Sequence, residues 1–176
     1  MATNTGTGKL FERKIHKKIE NILRVRNTLI KSNKIIKNNN IVGNLYGEHK
    51  FYTLLKNIGI DFQQIIKSKI LADQIIYNIK NNTFYIIEMR HMHGPGSTYK
   101  KFGNWEFEIE QFNKMLKTFD KISNNKNNFK IEYIFILNNY HKKEKYEQIL
   151  AFIQKRGCKV YFEDEIEAVL DYVKLK

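Results

Sequence analysis

The sequence predicts a mixed α/β (α+β) fold, in which a central mixed β-sheet is flanked by helices and preceded by a long N-terminal helix. Two apolar segments joined by an Asn-rich turn, 73–79 and 84–90, are typical of an antiparallel hairpin. The later segments 130–137, 142–155 and 159–162 follow a strand, helix, strand pattern, which favours further strands beside the hairpin. The 176 residues are 42% hydrophobic, which is enough apolar material for one folded domain.

Residues 1–40 are predicted to form a basic helical extension of a single domain that spans residues 41–176. Within residues 9–37, apolar side chains recur at helical spacing, and they are Phe11, Ile15, Ile19, Ile22 and Leu29. Lys and Arg fill the other positions, which predicts one long amphipathic helix. The polar run Asn38–Asn40 is expected to end it.

Four further segments complete the predicted elements. A second helix is expected from Tyr46 to Asn57, with Gly59 as its C-terminal cap. Residues 62–70 have the pattern of an extended segment. Apolar residues at spacings of three and four predict a helix over Asn104–Phe119, and residues 163–173 are predicted to form a closing helix.

The charge of the chain favours a polyanionic partner. Its formal net charge is +13, and residues 1–37 hold ten Lys or Arg against two Glu. Nucleic acid is the commonest partner of such a basic chain. A composition rich in Asn, Lys and Ile is also what AT-rich coding DNA produces, but it does not explain why the last fourteen residues are acidic.

Several classes of protein are disfavoured by composition. A single Cys excludes an internal disulfide framework, and the pair His91 and His93 lacks the further Cys or His that a zinc site needs. No apolar run reaches the roughly 20 residues of a membrane helix, so no membrane partner is expected. The polar segment Met1–Gly8 has no apolar signal-peptide core, which predicts an intracellular rather than a secreted protein.

Asp73 and Glu88 are the candidate metal ligands. Asp73 begins the first hairpin strand and Glu88 lies near the end of the second, so antiparallel pairing brings them together away from the Asn81–Asn82 turn. Two carboxylates beside a Gly-rich loop, here residues 91–103, suit Mg²⁺. Arg90 shares a strand face with Glu88 and is expected to project beside the same site.

These residues resemble the PD-(D/E)XK nuclease superfamily, in particular the type II restriction endonucleases. In that family an acid, a gap and then Glu-x-Lys after an apolar strand form the active site. Asp73, followed by Phe-Tyr-Ile-Ile-Glu88-Met-Arg90, is similar to this pattern. The resemblance covers residues 46–162 and implies a restriction-endonuclease-like core.

Two neighbouring segments extend the resemblance. Glu48, near the start of the second helix, is similar to the family's additional helix-borne acid. The loop from His93 to Thr98, which leads into Lys100 and Lys101, resembles a Gly-Gly-Ser-Thr segment of some restriction enzymes.

The resemblance implies a metal-dependent DNA endonuclease that hydrolyses phosphodiester bonds. Asp73 and Glu88 would hold Mg²⁺, with Mn²⁺ as an alternative, and the Met89 carbonyl would be a third ligand. Glu48 would assist through a second metal ion or a water. Arg90 would contact the scissile phosphate.

Arg90 stands where the family has Lys, and this difference leaves two functions open. Arg stays protonated and cannot act as a base, although it can donate to a phosphate oxygen. The site is then either active, with Arg90 as an electrostatic clamp, or a catalytically degenerate nuclease-fold module that binds DNA. An RNA nuclease or RNA-binding protein is a third interpretation.

Double-stranded DNA is the expected partner of either form. Six residues are predicted to contact nucleic acid: Lys14, Lys17, Lys18, Ser97, Lys100 and Lys101. Restriction-type enzymes of this size commonly act as dimers, so a homodimer is expected, with the N-terminal helix as its candidate interface.

Overall fold

A computed structural model describes residues 5–47, 49–57, 59–94, 102–122 and 129–175. Within these ranges, the centre of the fold is a seven-stranded sheet whose strands lie side by side in chain order. The strands are β1 (Thr28–Lys31), β2 (Lys34–Lys37), β3 (Asn40–Gly47), β4 (Gln74–Asn78), β5 (Thr83–Arg90), β6 (Lys130–Leu137) and β7 (Lys159–Phe162). Strands β1 to β5 pair antiparallel, whereas β6 pairs parallel with both β5 and β7. The predicted mixed sheet is confirmed.

Helices cover both faces of the sheet. They are α1 (Thr5–Val25), α2 (Lys50–Asn57), α3 (Trp105–Ile122), α4 (Glu147–Lys155) and α5 (Ile166–Val173). The helices α1 and α5 share one apolar cluster with the side of β5 that carries Tyr85, Ile87 and Met89. The helices α2, α3 and α4 share a second cluster with the side that carries Phe84 and Ile86. The predicted helical layers and the long N-terminal helix are therefore confirmed.

The N-terminal helix is shorter than predicted. It ends at Val25, and the residues assigned to its second half form β1 and β2. Asn27 has a positive φ of 52°, which breaks the helix, and the pairs Ser32-Asn33 and Asn38-Asn39 also have positive φ and turn the chain between β1, β2 and β3. Leu29 continued the helical spacing by chance, and its side chain is 61% exposed on β1.

The apolar stripe of α1 packs within its own chain. Phe11, Ile15, Ile19 and Leu23 are each at most 5% exposed and join the cluster beneath the sheet. A dimer that uses this stripe is therefore not supported, because α1 would have to leave the sheet before the stripe could contact a second chain.

The central hairpin and the next strand form where the sequence predicts them. Strand β4 pairs with β5 from Gln74 opposite Ile87 to Asn78 opposite Thr83, and the turn between them contains Asn82 at a φ of 55°. Every residue of β5 except Arg90 is buried. Since helices cover both faces of this strand, its near-continuous apolar run is explained by burial on two sides.

The remaining segments differ from their predictions mainly at the ends. The second helix begins at Lys50, because Tyr46 belongs to β3 and pairs with Ile75. Gly59 follows α2 with a φ of 82°, and its amide donates to the Lys56 carbonyl. Residues 62–70, predicted to be extended, join no strand. They begin with a 3₁₀ turn over Phe62–Gln64, and the side chain of Asp61 caps this turn.

Helix α3 confirms the prediction over Asn104–Phe119 and continues to Ile122. The helix predicted over 142–155 is preceded by two 3₁₀ turns and begins only at Glu147. The strands 130–137 and 159–162 have the predicted bounds. Among the described helices, none combines the length and the apolar character needed to cross a membrane.

Candidate active site

The β4–β5 hairpin brings Asp73 and Glu88 together. The register that pairs Gln74 with Ile87 places the residue before Gln74 beside the residue after Ile87. An Asp73 carboxylate oxygen accepts a hydrogen bond of 2.6 Å from the Met89 amide. The sequence-predicted proximity of the two acids is thus observed, and it results from local strand pairing at the end of the hairpin opposite to its turn.

Arg90 forms an ion pair with Glu88. One guanidinium nitrogen of Arg90 lies 2.7 Å from a Glu88 carboxylate oxygen, as expected for residues i and i+2 on one strand face. The Arg90 side chain is 34% exposed, whereas that of Glu88 is 5% exposed. Arg90 therefore spans from a buried carboxylate to the surface, and its Nε has no hydrogen-bond partner among the described residues.

The environment of Glu88 favours its protonated form. Burial is the main cause, and the negative charge of Asp73 adds to it, so that the pKa of Glu88 is raised from 4.5 to about 8 despite the opposing charge of Arg90. A smaller contribution in the same direction comes from Glu108. Glu88 therefore holds its proton more tightly than an exposed carboxylic acid does.

Glu108 and Tyr133 belong to the same cluster, and neither was predicted as a site residue from the sequence. The Tyr133 hydroxyl donates a short hydrogen bond to the Glu108 carboxylate, and Tyr133 is buried on β6. Burial and the charges of Glu88 and Glu108 raise the pKa of Tyr133, so its hydroxyl stays protonated and acts as a donor. Glu108 follows Trp105 by three residues and precedes Phe112 by four, and this spacing could have placed it on the buried face of α3.

Asn138 fixes the chain that leaves the site. Its side-chain amide donates to the Met92 carbonyl at 2.8 Å, and its side-chain oxygen accepts from the Met92 amide at 3.2 Å. Asn138 directly follows β6 and is buried. Because the two strands are parallel, this pair of hydrogen bonds holds the segment after β5 against the end of its neighbour.

The paired carboxylates suit a divalent cation with few protein ligands. Among the described residues, no three His, Cys, Asp or Glu side chains group to hold a metal ion. Mg²⁺ is commonly bound through one or two carboxylates, with waters and substrate phosphates completing its coordination. Asp73 and Glu88 fit this type of site, since a cation between them would offset both the burial and the charge of Asp73 that raise the pKa of Glu88.

The basic residues predicted on the N-terminal helix are partly engaged in the fold. The Lys14 ammonium lies 2.5 Å from a carboxylate oxygen of Glu163, and Lys18 donates to the main-chain oxygen of Glu163 at 2.9 Å. Lys17 is exposed. Glu163 follows β7, so this half of α1 lies at the end of the sheet where β5 ends, although on the opposite face from Glu88.

Other predicted site residues lie elsewhere or are not described. Glu48, Ser97, Lys100 and Lys101 fall outside the described residues. Met89 is described, and its side chain is buried on the α1 side of the sheet. The rings of His91 and His93 have their centroids 4.0 Å apart, and His91 packs against Phe11.

We compared the chain with protein-family models, with curated proteins and with solved structures, and none of the three comparisons found a match. Asp73, Glu88 and Arg90 therefore support a function only through their own geometry and through the motif that they form.

Proposed function

We propose that the protein is a Mg²⁺-dependent DNA endonuclease of the restriction type, built on a PD-(D/E)XK-like site. The observation that carries this proposal is the juxtaposition of Asp73, Glu88 and Arg90 at one end of the β4–β5 hairpin. A buried strand carries two of these three groups, so their relative positions are fixed by the sheet. A rigid element of this kind is what a hydrolytic site requires.

Asp73 and Glu88 would hold the cation, and the Met89 carbonyl would be a third ligand. A divalent cation at such a site lowers the pKa of bound water and neutralises charge on the phosphate. The hydrogen bond from the Met89 amide keeps the Asp73 carboxylate turned towards β5. Mn²⁺ is expected to replace Mg²⁺, because both accept carboxylate ligands.

Arg90 would bind the scissile phosphate. Its guanidinium already lies beside Glu88 and reaches the surface, so a phosphate oxygen and the carboxylate can share its donors. A cation bound between the two acids would replace Arg90 as the partner of the Glu88 carboxylate. The guanidinium would then be free to bind the phosphate. In this role Arg90 stabilises charge in the transition state, and it neither removes nor supplies a proton.

The basic surface would bind the DNA backbone. At the N-terminal half of α1, Lys17 would contact phosphates directly. Lys14 and Lys18 would do so after giving up their contacts with Glu163. The resemblance also implies contacts from Ser97, Lys100 and Lys101. It further implies a two-fold dimer on a palindromic site. Since the apolar stripe of α1 is buried within the chain, such a dimer would need another surface.

One observation favours a second candidate function, a DNA-binding module without nuclease activity. Arg90 forms an ion pair with Glu88, which is one of the two proposed cation ligands. A guanidinium at the position of the family Lys also cannot lose a proton and so cannot act as a base. Such a module would bind DNA in a salt-sensitive way that is independent of Mg²⁺. Replacing Asp73 would leave this binding unchanged.

Incubation with plasmid DNA in Mg²⁺, Mn²⁺ or EDTA tests the proposal. We expect cleavage in either metal ion, none in EDTA, and loss of cleavage by at least about 100-fold in Asp73→Asn, because one cation ligand is lost. Glu110→Gln, at an exposed acid of α3, is the control and should cut like the wild-type protein. Equal cleavage by Asp73→Asn and by the wild-type protein would exclude the proposed site.

A further inference from the structure

A groove of about 980 Å³ runs beside α2, and we call it the α2 groove. Its lining includes Tyr52 and Lys56 of α2, Phe62 and Gln63 of the 3₁₀ turn, and Lys69. Tyr52 is buried and forms part of the floor, whereas Phe62 is half-buried and both lysines are exposed. The groove therefore combines an aromatic floor with cationic side chains at its rim.

The two lysines are available to a ligand. The Lys69 ammonium lies 5.3 Å from the centre of the Phe62 ring and 5.5 Å from that of Tyr52, which is within the range of a cation–π contact. Neither Lys56 nor Lys69 forms an ion pair with any described residue, in contrast to Lys14. Asp61 also lines the groove, and its carboxylate accepts a hydrogen bond from the Gln63 amide.

A short stretch of chain connects the lining of the groove to Asp73. The Tyr52 hydroxyl donates to the Ile70 carbonyl at 2.8 Å and accepts from the Ile70 amide at 2.7 Å. Asp73 follows Lys69 by four positions, so their Cα atoms are at most roughly 14 Å apart. Burial raises the pKa of Tyr52, and the charge of Glu108, which belongs to the cluster, adds to this effect.

We propose that the α2 groove binds the sugar–phosphate backbone of the DNA strand next to the scissile phosphate, which Arg90 would hold beside Asp73 and Glu88. Lys56 and Lys69 would contact consecutive phosphates, and the exposed part of Phe62 would pack on a sugar or a base. A span of at most roughly 14 Å from Asp73 is short enough for a neighbouring nucleotide of the same strand. This inference rests on the proposed function, since it names the surface that holds the substrate of that site.

Fluorescence anisotropy with a labelled DNA duplex in EDTA tests the groove without any cleavage. The double variant Lys56→Gln/Lys69→Gln is expected to weaken binding about 10-fold or more at low salt, because two phosphate contacts are lost. The slope of log Kd against log salt should fall by about 1.8, the value for two phosphates of a duplex. The double variant Lys56→Arg/Lys69→Arg should bind like the wild-type protein.

The matched control is Lys80→Gln/Lys130→Gln, which removes the same charge at the other end of the hairpin. Both control lysines are exposed, and they flank the β4–β5 turn and the start of β6. This variant should change Kd by less than about two-fold. Equal weakening in the two double variants would overturn the α2 groove as the binding surface, since only total charge would then matter.

The outcome for the groove is separable from the outcome for the nuclease. Metal-dependent cleavage together with unchanged DNA binding by Lys56→Gln/Lys69→Gln would reject the groove and keep the endonuclease. Selective loss of binding in that variant, with no cleavage by the wild-type protein, would keep the groove and reject the endonuclease. Wild-type protein that binds no duplex at low salt would reject the groove.

Discussion

Replacing Glu88 with Gln should abolish metal-dependent DNA cleavage and at the same time stabilise the fold at alkaline pH. Cleavage should fall by at least about 1,000-fold, because an amide cannot neutralise a divalent cation as a carboxylate does. Stability should rise because the wild-type protein must bury a charged carboxylate at high pH, whereas Gln resembles the protonated acid. The two effects have opposite signs, which a nonspecific folding defect would not produce.

The pH dependence of this stabilisation follows from the raised pKa. Glu88 binds its proton more tightly in the folded protein, with a pKa of about 8 against an ordinary 4.5. Its contribution to the free energy of unfolding is therefore complete below about pH 4.5 and is lost as the pH rises towards 8. The advantage of Glu88→Gln should grow through this interval and then level off.

Thermal unfolding in EDTA from pH 5 to pH 9 measures this advantage. We expect a difference of about 2 kcal/mol or more at pH 9, which corresponds to roughly 4–8 °C in Tm for a chain of this size. Glu110→Gln, at a side chain that is 63% exposed, should give a difference that does not change with pH. A pH-independent difference for Glu88→Gln would mean that Glu88 is already ionised in the folded protein at neutral pH.

Arg90 variants should separate an electrostatic role from a proton-transfer role. Arg90→Lys is expected to cut within about 10-fold of the wild-type protein, since the ammonium can also donate to a phosphate and to Glu88. Arg90→Gln should lose at least about 100-fold, because the guanidinium charge that faces the phosphate is then missing. Plasmid cleavage at equal protein concentration measures both.

Two results would contradict this role of Arg90. Cleavage by Arg90→Gln at the wild-type rate would remove Arg90 from the site. Cleavage by Arg90→Lys alone, with an inactive wild-type protein, would instead support the DNA-binding module whose nuclease site is disabled by one substitution. In that case a Lys at this position must contribute more than its positive charge. The pKa of a Lys can shift on burial, so that it can exchange a proton, whereas Arg stays charged.

Local patterns predicted the middle of the fold well. Strands β4, β5 and β6 are dense in Ile, Tyr and Phe, and polar turns bound them, so their limits could be read from the chain. The end of α1 could not be read in this way, because Leu29 kept the helical spacing. The evidence against a longer helix was the pair of two-residue turns that contain Asn33 and Asn38, whose positive φ suits a hairpin.

Local contacts position some residues of the candidate site, and tertiary contacts position the others. Asp73, Glu88 and Arg90 were predictable because one hairpin and one strand face position them. Glu108 and Tyr133 come from α3 and β6, and only the packing of that helix on the sheet brings them together. The dimer surface expected on the N-terminal helix is not present in the described part of the structure. The helix is shorter than predicted, and its apolar stripe is buried against the sheet of its own chain.

Binding of Mn²⁺ to the free protein tests the central claim most directly, because it needs no knowledge of the DNA sequence that is cut. The paramagnetic signal of free Mn²⁺ should fall in the presence of the wild-type protein and of Glu110→Gln. It should recover in both Asp73→Asn and Glu88→Gln, with the apparent affinity weakened at least about 10-fold. Equal Mn²⁺ binding by all four proteins would contradict a cation site between Asp73 and Glu88.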